Sequence, residues 1–148
     1  MIAVSACLLG INCKYNGNNN KNDKVFEYLK DKEYILICPE QLGGLSTPRN
    51  PAEIINGNGY DVIKKNSNVI DNTGKDVTKE FINGANECLK IVNIYKCKRA
   101  ILKEGSPSCG SNYIYDGTFS GKKILGVGIT TALFRNNEIE VLSEDDIL

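Results

Sequence analysis

Histidine is absent from all 148 residues. Without imidazole there can be no Ser-His-Asp or Cys-His nucleophile pair, no mixed Cys/His zinc site and no histidine-held haem. The usual proton shuttle near neutral pH is missing too, so proton chemistry falls to carboxylates, hydroxyls, amines or thiols. Net charge is also lacking, since 18 basic residues balance 18 acidic ones. With no basic stripe, strong nucleic-acid binding or an electrostatic grip on a membrane surface is not expected. No apolar run approaches twenty residues, and no charged-then-apolar leader opens the chain. Neither a membrane span nor secretion is therefore expected, and the predicted location is cytoplasmic.

Against these absences stand six cysteines. In a reducing compartment they are poor candidates for structural disulfides and better ones for metal binding or catalysis. At this length, with 41% hydrophobic residues, one ordinary domain spanning 1–148 can bury a core without such staples.

Apolar Met1–Ser5 fits a buried first strand, and 34–37 (YILI) fits a second, ending at Cys38-Pro39. A short amphipathic helix is predicted over KVFEYLKD (24–31), with Val25, Phe26 and Leu29 inward and Asp23 as N-cap. A small hairpin is predicted from 60–64 and 68–71, turning at Asn66-Ser67. The strongest helical signal covers 78–96, where Phe81, Ala85, Cys88, Val92 and Tyr95 recur at steps of four and three. A third strand at 99–103 runs into EGSPSCGSN (104–112). YIYDGTFSGKK reads as extended with a turn at Asp116-Gly117, 128–135 as a helix, and 138–142 as a last strand. The alternation predicts an α/β fold, a Rossmann-like three-layer sandwich with a mostly parallel sheet.

In such a sheet the strand C-termini share one edge, where ligands bind. Cys7, Cys38 and Cys109 each follow a strand and are expected to converge there. Three packing cysteines are the plainer alternative. Structural zinc sites are closed by four ligands, often in CxxC pairs that this chain lacks. A [4Fe–4S] cluster is normally held by four thiolates, and with three, one iron is not bound by protein and is free for a substrate atom. Nearby Cys13 is a possible fourth ligand, which would close the cluster. A non-catalytic iron–sulfur or zinc protein for electron or sulfur transfer is then the alternative. Cys88 and Cys97 read as packing thiols.

Four blocks in order carry a resemblance: SACLLGINCKYNG, CPEQLGGLSTPRNPAEI, AILKEGSPSCG and IYDGTFSGKKILGVGIT. Together they resemble the domain of unknown function 523 family, which includes thiouracil desulfidases. The resemblance implies a [4Fe–4S] cluster on Cys7, Cys38 and Cys109. It further implies desulfuration of a small thiolated pyrimidine or nucleotide, with C=S becoming C=O and sulfur leaving as hydrosulfide. Iron–sulfur assembly machinery is then an expected partner, and the protein is expected as a monomer or homodimer.

Lacking histidine, the expected base is a carboxylate, and Glu40 lies two residues from a proposed ligand. It also reads as a helix-start carboxylate. Ser106 and Ser108 are candidates for orienting substrate or stabilising developing charge, or for capping the turn at Pro107. Arg49 is a candidate for substrate binding through a phosphate or carbonyl, or for a salt bridge to Glu53. Thr130, at the glycine-rich entry to a helix, is a candidate anion-binding residue or a plain cap.

Overall fold

Ile2–Ser5 (β1) is buried at all four positions, as a central strand covered on both faces requires. The computed structural model describes Met1–Leu148. In it β1 pairs in parallel with Tyr34–Ile37 (β2) on one side and Arg99–Leu102 (β5) on the other. β5 pairs in parallel with Glu140–Ser143 (β8), giving the order β2-β1-β5-β8.

Alternation along the strands sends side chains to two different helical layers. Ala3, Ile37, Ala100, Leu102 and Val141 pack with Cys88 and Val92 of α4 (Thr78–Ile94) and Phe134 of α5 (Ile129–Asn136). Ile2, Val4 and Ile101 pack on the other face with Val25 and Leu29 of α1 (Asp23–Leu29) and with Ile147. Fully burying each of the larger aliphatic side chains contributes about 1.5–3 kcal/mol. The result is the expected three-layer α/β sandwich with an all-parallel main sheet.

A second packing centre lies beside it. Ala52–Ile55 (β3) and Asn68–Asp71 (β4) pair antiparallel and enclose Ile54, Val62, Val69, Phe81 and Ile129. The hairpin expected from 60–64 and 68–71 is corrected here, because 59–63 is a helix (α3, Gly59–Ile63) and β4 pairs with β3 instead. The deciding interaction is a capping box: Asn58 Oδ1 accepts from Tyr60 N at 2.9 Å while Asp61 Oδ2 accepts from Asn58 N at 2.8 Å.

Smaller shifts have local causes. Asn22, not Asp23, caps α1 by accepting from Val25 N at 3.1 Å. Phe26 is exposed, since Val25 and Leu29 alone occupy the inward i, i+4 positions. Tyr95 is exposed because α4 stops at Ile94 and Lys96 turns left-handed at φ 55. The last strand begins two residues later than expected, at Glu140. Tyr113–Tyr115 (β6) and Lys123–Leu125 (β7) form the expected extended pair. No helix is long and apolar enough to cross a membrane.

Candidate functional site

Chain order reverses between β1 and β5: β2 lies to one side of β1, and β5 and β8 to the other. A crevice is expected outside the strand ends at such a point, and a cleft of about 590 Å³ opens there. Cys7 comes from the 3-10 turn Ala6–Leu9 after β1. Cys38 follows β2 and is the N-cap of the short helix α2 (Pro39–Leu42). Cys109 lies in the loop after β5. All three line this cleft, as do Cys13, Glu40, Arg49 and Ser106.

The Cys109 loop is built around a carboxylate. Glu104, almost fully buried, accepts from the backbone N–H of Ser111 at 2.7 Å and of Asn112 at 3.0 Å. It also takes the Asn112 side-chain amide at 2.7 Å and the Ser111 hydroxyl at 3.1 Å. Burial alone would raise its pKa, but the backbone and side-chain donors outweigh that and hold it at about 2. Ser106 Oγ accepts from Cys109 N at 2.8 Å, which is the turn-capping role its sequence context allowed. The N-terminus of α5 completes the loop's support. Ile129 N donates to Pro107 O at 2.8 Å, Thr130 N to Ser108 O at 2.8 Å, and Thr131 Oγ1 to Cys109 O at 2.9 Å. Gly128 is required there, because a Cβ would collide with the Ser108 carbonyl.

This arrangement corrects the expectation for Thr130. Loop carbonyls, not an exogenous anion, take the first free N–H groups of α5, and the Thr130 side chain is fully buried away from the cleft. Ser108 is likewise buried and absent from the cleft wall, its hydroxyl without a hydrogen-bond partner.

Cys13 lies beside Cys7 and Cys38, and Cys38 Sγ donates to the Cys13 carbonyl at 4.0 Å. Cys13 holds the Cys7 thiol below its ordinary range despite burial, with help from Asn20. Cys13 likewise draws Cys38 down, again against burial, to about 7. The Cys38 and Cys7 sulfurs, and burial, push the Cys13 thiol itself up. Burial pushes Cys109 well up, and the negative charge of Glu40 adds to this. Ser5 opposes it by donating to Cys109 Sγ at 3.8 Å while accepting from Lys103 N at 2.9 Å. No three thiol or carboxylate groups stand as the ligand set of a single metal ion.

Glu40 sits in the first turn of α2, its carboxyl pushed up by burial and drawn back by Arg49. Arg49 Nε is 3.5 Å from Glu40 Oε1, an ion-pair distance without hydrogen-bond alignment. Its terminal nitrogens donate to Cys13 O at 2.8 Å and Thr47 Oγ1 at 3.0 Å. Arg49 therefore pairs with Glu40 rather than Glu53 and ties α2 to the Cys13 turn. Glu53 accepts backbone N–H groups of the β6–β7 loop instead. Glu104, Ser5 and Asn20 were not singled out by sequence reasoning. The only signals were a carboxylate and a hydroxyl directly at strand ends.

Fold and cleft together define an α/β protein with a thiol-lined pocket at the switch point of its sheet. The chain belongs to the 2-thiouracil desulfurase family, whose sequence model matches residues 2–146. It is 46% identical over 147 residues to "Uncharacterized protein YbbK" of Bacillus subtilis (strain 168), covering 99% of this chain and 97% of that one. The solved structure of a [4Fe-4S]-dependent thiouracil desulfidase, TudS, matches with a TM-score of 0.85 at 41% identity. That match covers 99% of this chain and 91% of TudS.

Proposed function

We propose that this protein is a [4Fe–4S]-dependent desulfidase that replaces the C=S group of a thiolated pyrimidine by C=O and releases hydrosulfide. The observation that carries the reading is that Cys7, Cys38, Cys109 and Glu40 line one cleft, in a chain of the thiouracil desulfurase family. The donor set suits the cluster: three soft thiols, two of them with lowered pKa, and no competing imidazole. Thiolates around one zinc ion stand within about 4 Å of each other, whereas those on a cubane are about 6–7 Å apart.

With Cys7, Cys38 and Cys109 as its ligands and one iron not bound by protein, the cluster would supply a soft Lewis acid for the thiocarbonyl sulfur. The chain's own residues do the rest. Glu40 accepts a proton from water as the water oxygen bonds to the thiolated carbon. The C–S bond then breaks and sulfur leaves as hydrosulfide. One water proton ends on that sulfur and the other returns to solvent through Glu40. Ser106 uses its oxygen to accept from Cys109 N, so its O–H remains available to donate to the substrate ring. Arg49 holds Glu40 and the Cys13 turn in register. Iron–sulfur assembly machinery loads the site.

Anaerobic reconstitution followed by iron and sulfide assay, with 2-thiouracil as substrate, tests this. About four irons per chain together with uracil and hydrosulfide production is expected. The nearness of Cys13 to Cys7 and Cys38 favours one second reading, a four-thiolate site closed for electron or sulfur transfer. A full cluster without turnover, lost when Cys13→Ala is made, would establish that reading. Retention of cluster and turnover in Cys13→Ala excludes it.

A further inference from the structure

Phe119, at the tip of the β6–β7 hairpin, borders the same cleft in a conformation that a bulky side chain rarely adopts. Its φ is +56, in the left-handed region, while the residue remains 39% exposed. Such strain persists only where the surroundings impose it. Two carboxylates do so here. Asp116 Oδ1 accepts from Thr118 N at 3.0 Å and from its hydroxyl at 2.6 Å. From the neighbouring strand β3, Glu53 Oε1 accepts from Gly117 N at 2.9 Å and Phe119 N at 3.2 Å.

Core packing does not explain this fixation, because Phe119 belongs to no core cluster. Its backbone is held in place and its side chain is left partly uncovered on the cleft. Two further incompletely buried aromatic residues line that cleft, Tyr15 and Tyr115. Tyr15 arrives from the turn after Cys13, its carbonyl fixed by Arg49 N at 2.8 Å. Three aromatic rings from two separate segments thus border the sulfur-lined pocket.

We propose that Phe119, with Tyr15 and Tyr115, forms an aromatic wall that takes the flat face of the substrate ring, and that Glu53 is its positioning residue. The identity of the ring as a thiolated pyrimidine rests on the desulfidase reading above. Every nucleobase has a π-face, and stacking on aromatic side chains is tolerant of ring substituents. Contact through the face leaves the ring edge, which carries C=S, free to reach the thiols. The wall therefore selects flat thiolated heterocycles over open-chain thioamides such as thioacetamide.

The test uses the full chain. Phe119→Ala should raise KM for 2-thiouracil on the order of ten-fold, with a smaller change in kcat and no loss of iron. Glu53→Ala should move KM in the same direction, and Glu53→Gln, which keeps an acceptor oxygen, should restore much of it. Phe119→Trp introduces the only tryptophan of the chain, whose emission should be quenched by uracil with or without the cluster. Uracil affinity equal in Phe119→Ala and wild type, or tryptophan emission unmoved by bound uracil, overturns the aromatic wall. Failure of the desulfidase reading looks different: no hydrosulfide from the loaded wild-type chain, with quenching by uracil intact. That result would uphold the ring site alone.

Discussion

Cys7, Cys38 and Cys109 share a cleft with a fourth thiol, and their roles separate by single substitution. Changing any of the three to serine should abolish iron retention in the reconstitution assay. Cys88→Ala should keep iron and cost about 1 kcal/mol, because Cys88 is fully buried against the sheet. Glu40→Gln should keep the cluster and lower kcat by roughly 10²- to 10⁴-fold, the usual loss with a general base. Glu104 acts on stability. Its folded pKa of about 2 lies below the ordinary glutamate value of 4.5. Its contribution, about 3 kcal/mol, is therefore fully present above pH ~4.5 and lost as pH falls toward 2. Glu104→Gln should lower the urea midpoint at pH 7, and that difference from wild type should vanish near pH 2. The three ligand candidates were legible from sequence because each follows a strand. Glu104 was not, since the backbone donors it gathers lie up to nine residues downstream.

The elements reach the cleft through close glycine contacts. α2 lies against α4 at Gly43 and Gly84: a Cβ on Gly84 would collide with the Pro39 carbonyl, and one on Gly43 with the Glu80 carbonyl. This contact positions Cys38 and Glu40, the N-cap and first turn of α2. Gly84→Ala should therefore destabilise the fold by about 1–3 kcal/mol, read as a lower Tm. It should also lower kcat by displacing Glu40. From sequence, Gly84 is only a flaw in a strong helical stripe, and its partner across the helix pair is invisible. The entry to α5 shows the same limit. Glycine and threonine ahead of a helix fit an anion site equally well, and only the packing of the Cys109 loop against it reveals which groups take those N–H donors.

For the molecule as a whole, three hydrophobic clusters cover both faces of the sheet and the flanking hairpin. Of the proposed ligands, only Cys109 and the partly buried Cys7 touch them, and all six thiols are free. Removing the cluster by chelation under mild oxidation should leave the far-UV circular dichroism spectrum unchanged, with cooperative unfolding retained. Collapse of that spectrum on iron loss would instead make the cluster a folding element.

The α/β class, the strands of the main sheet and the candidate ligands Cys7, Cys38 and Cys109 were determined by the sequence alone, whereas β3 and α3 were not. Hydrophobic period and strand-end position are local properties that a parallel sheet converts into a shared edge. Only the tertiary structure decided that Arg49 pairs with Glu40, that Thr130 is buried and that Cys13 neighbours two other thiols. It alone also showed Glu53 holding Phe119 over the cleft. Each of these depends on which polar groups meet across the fold, and distance along the chain carries no record of that.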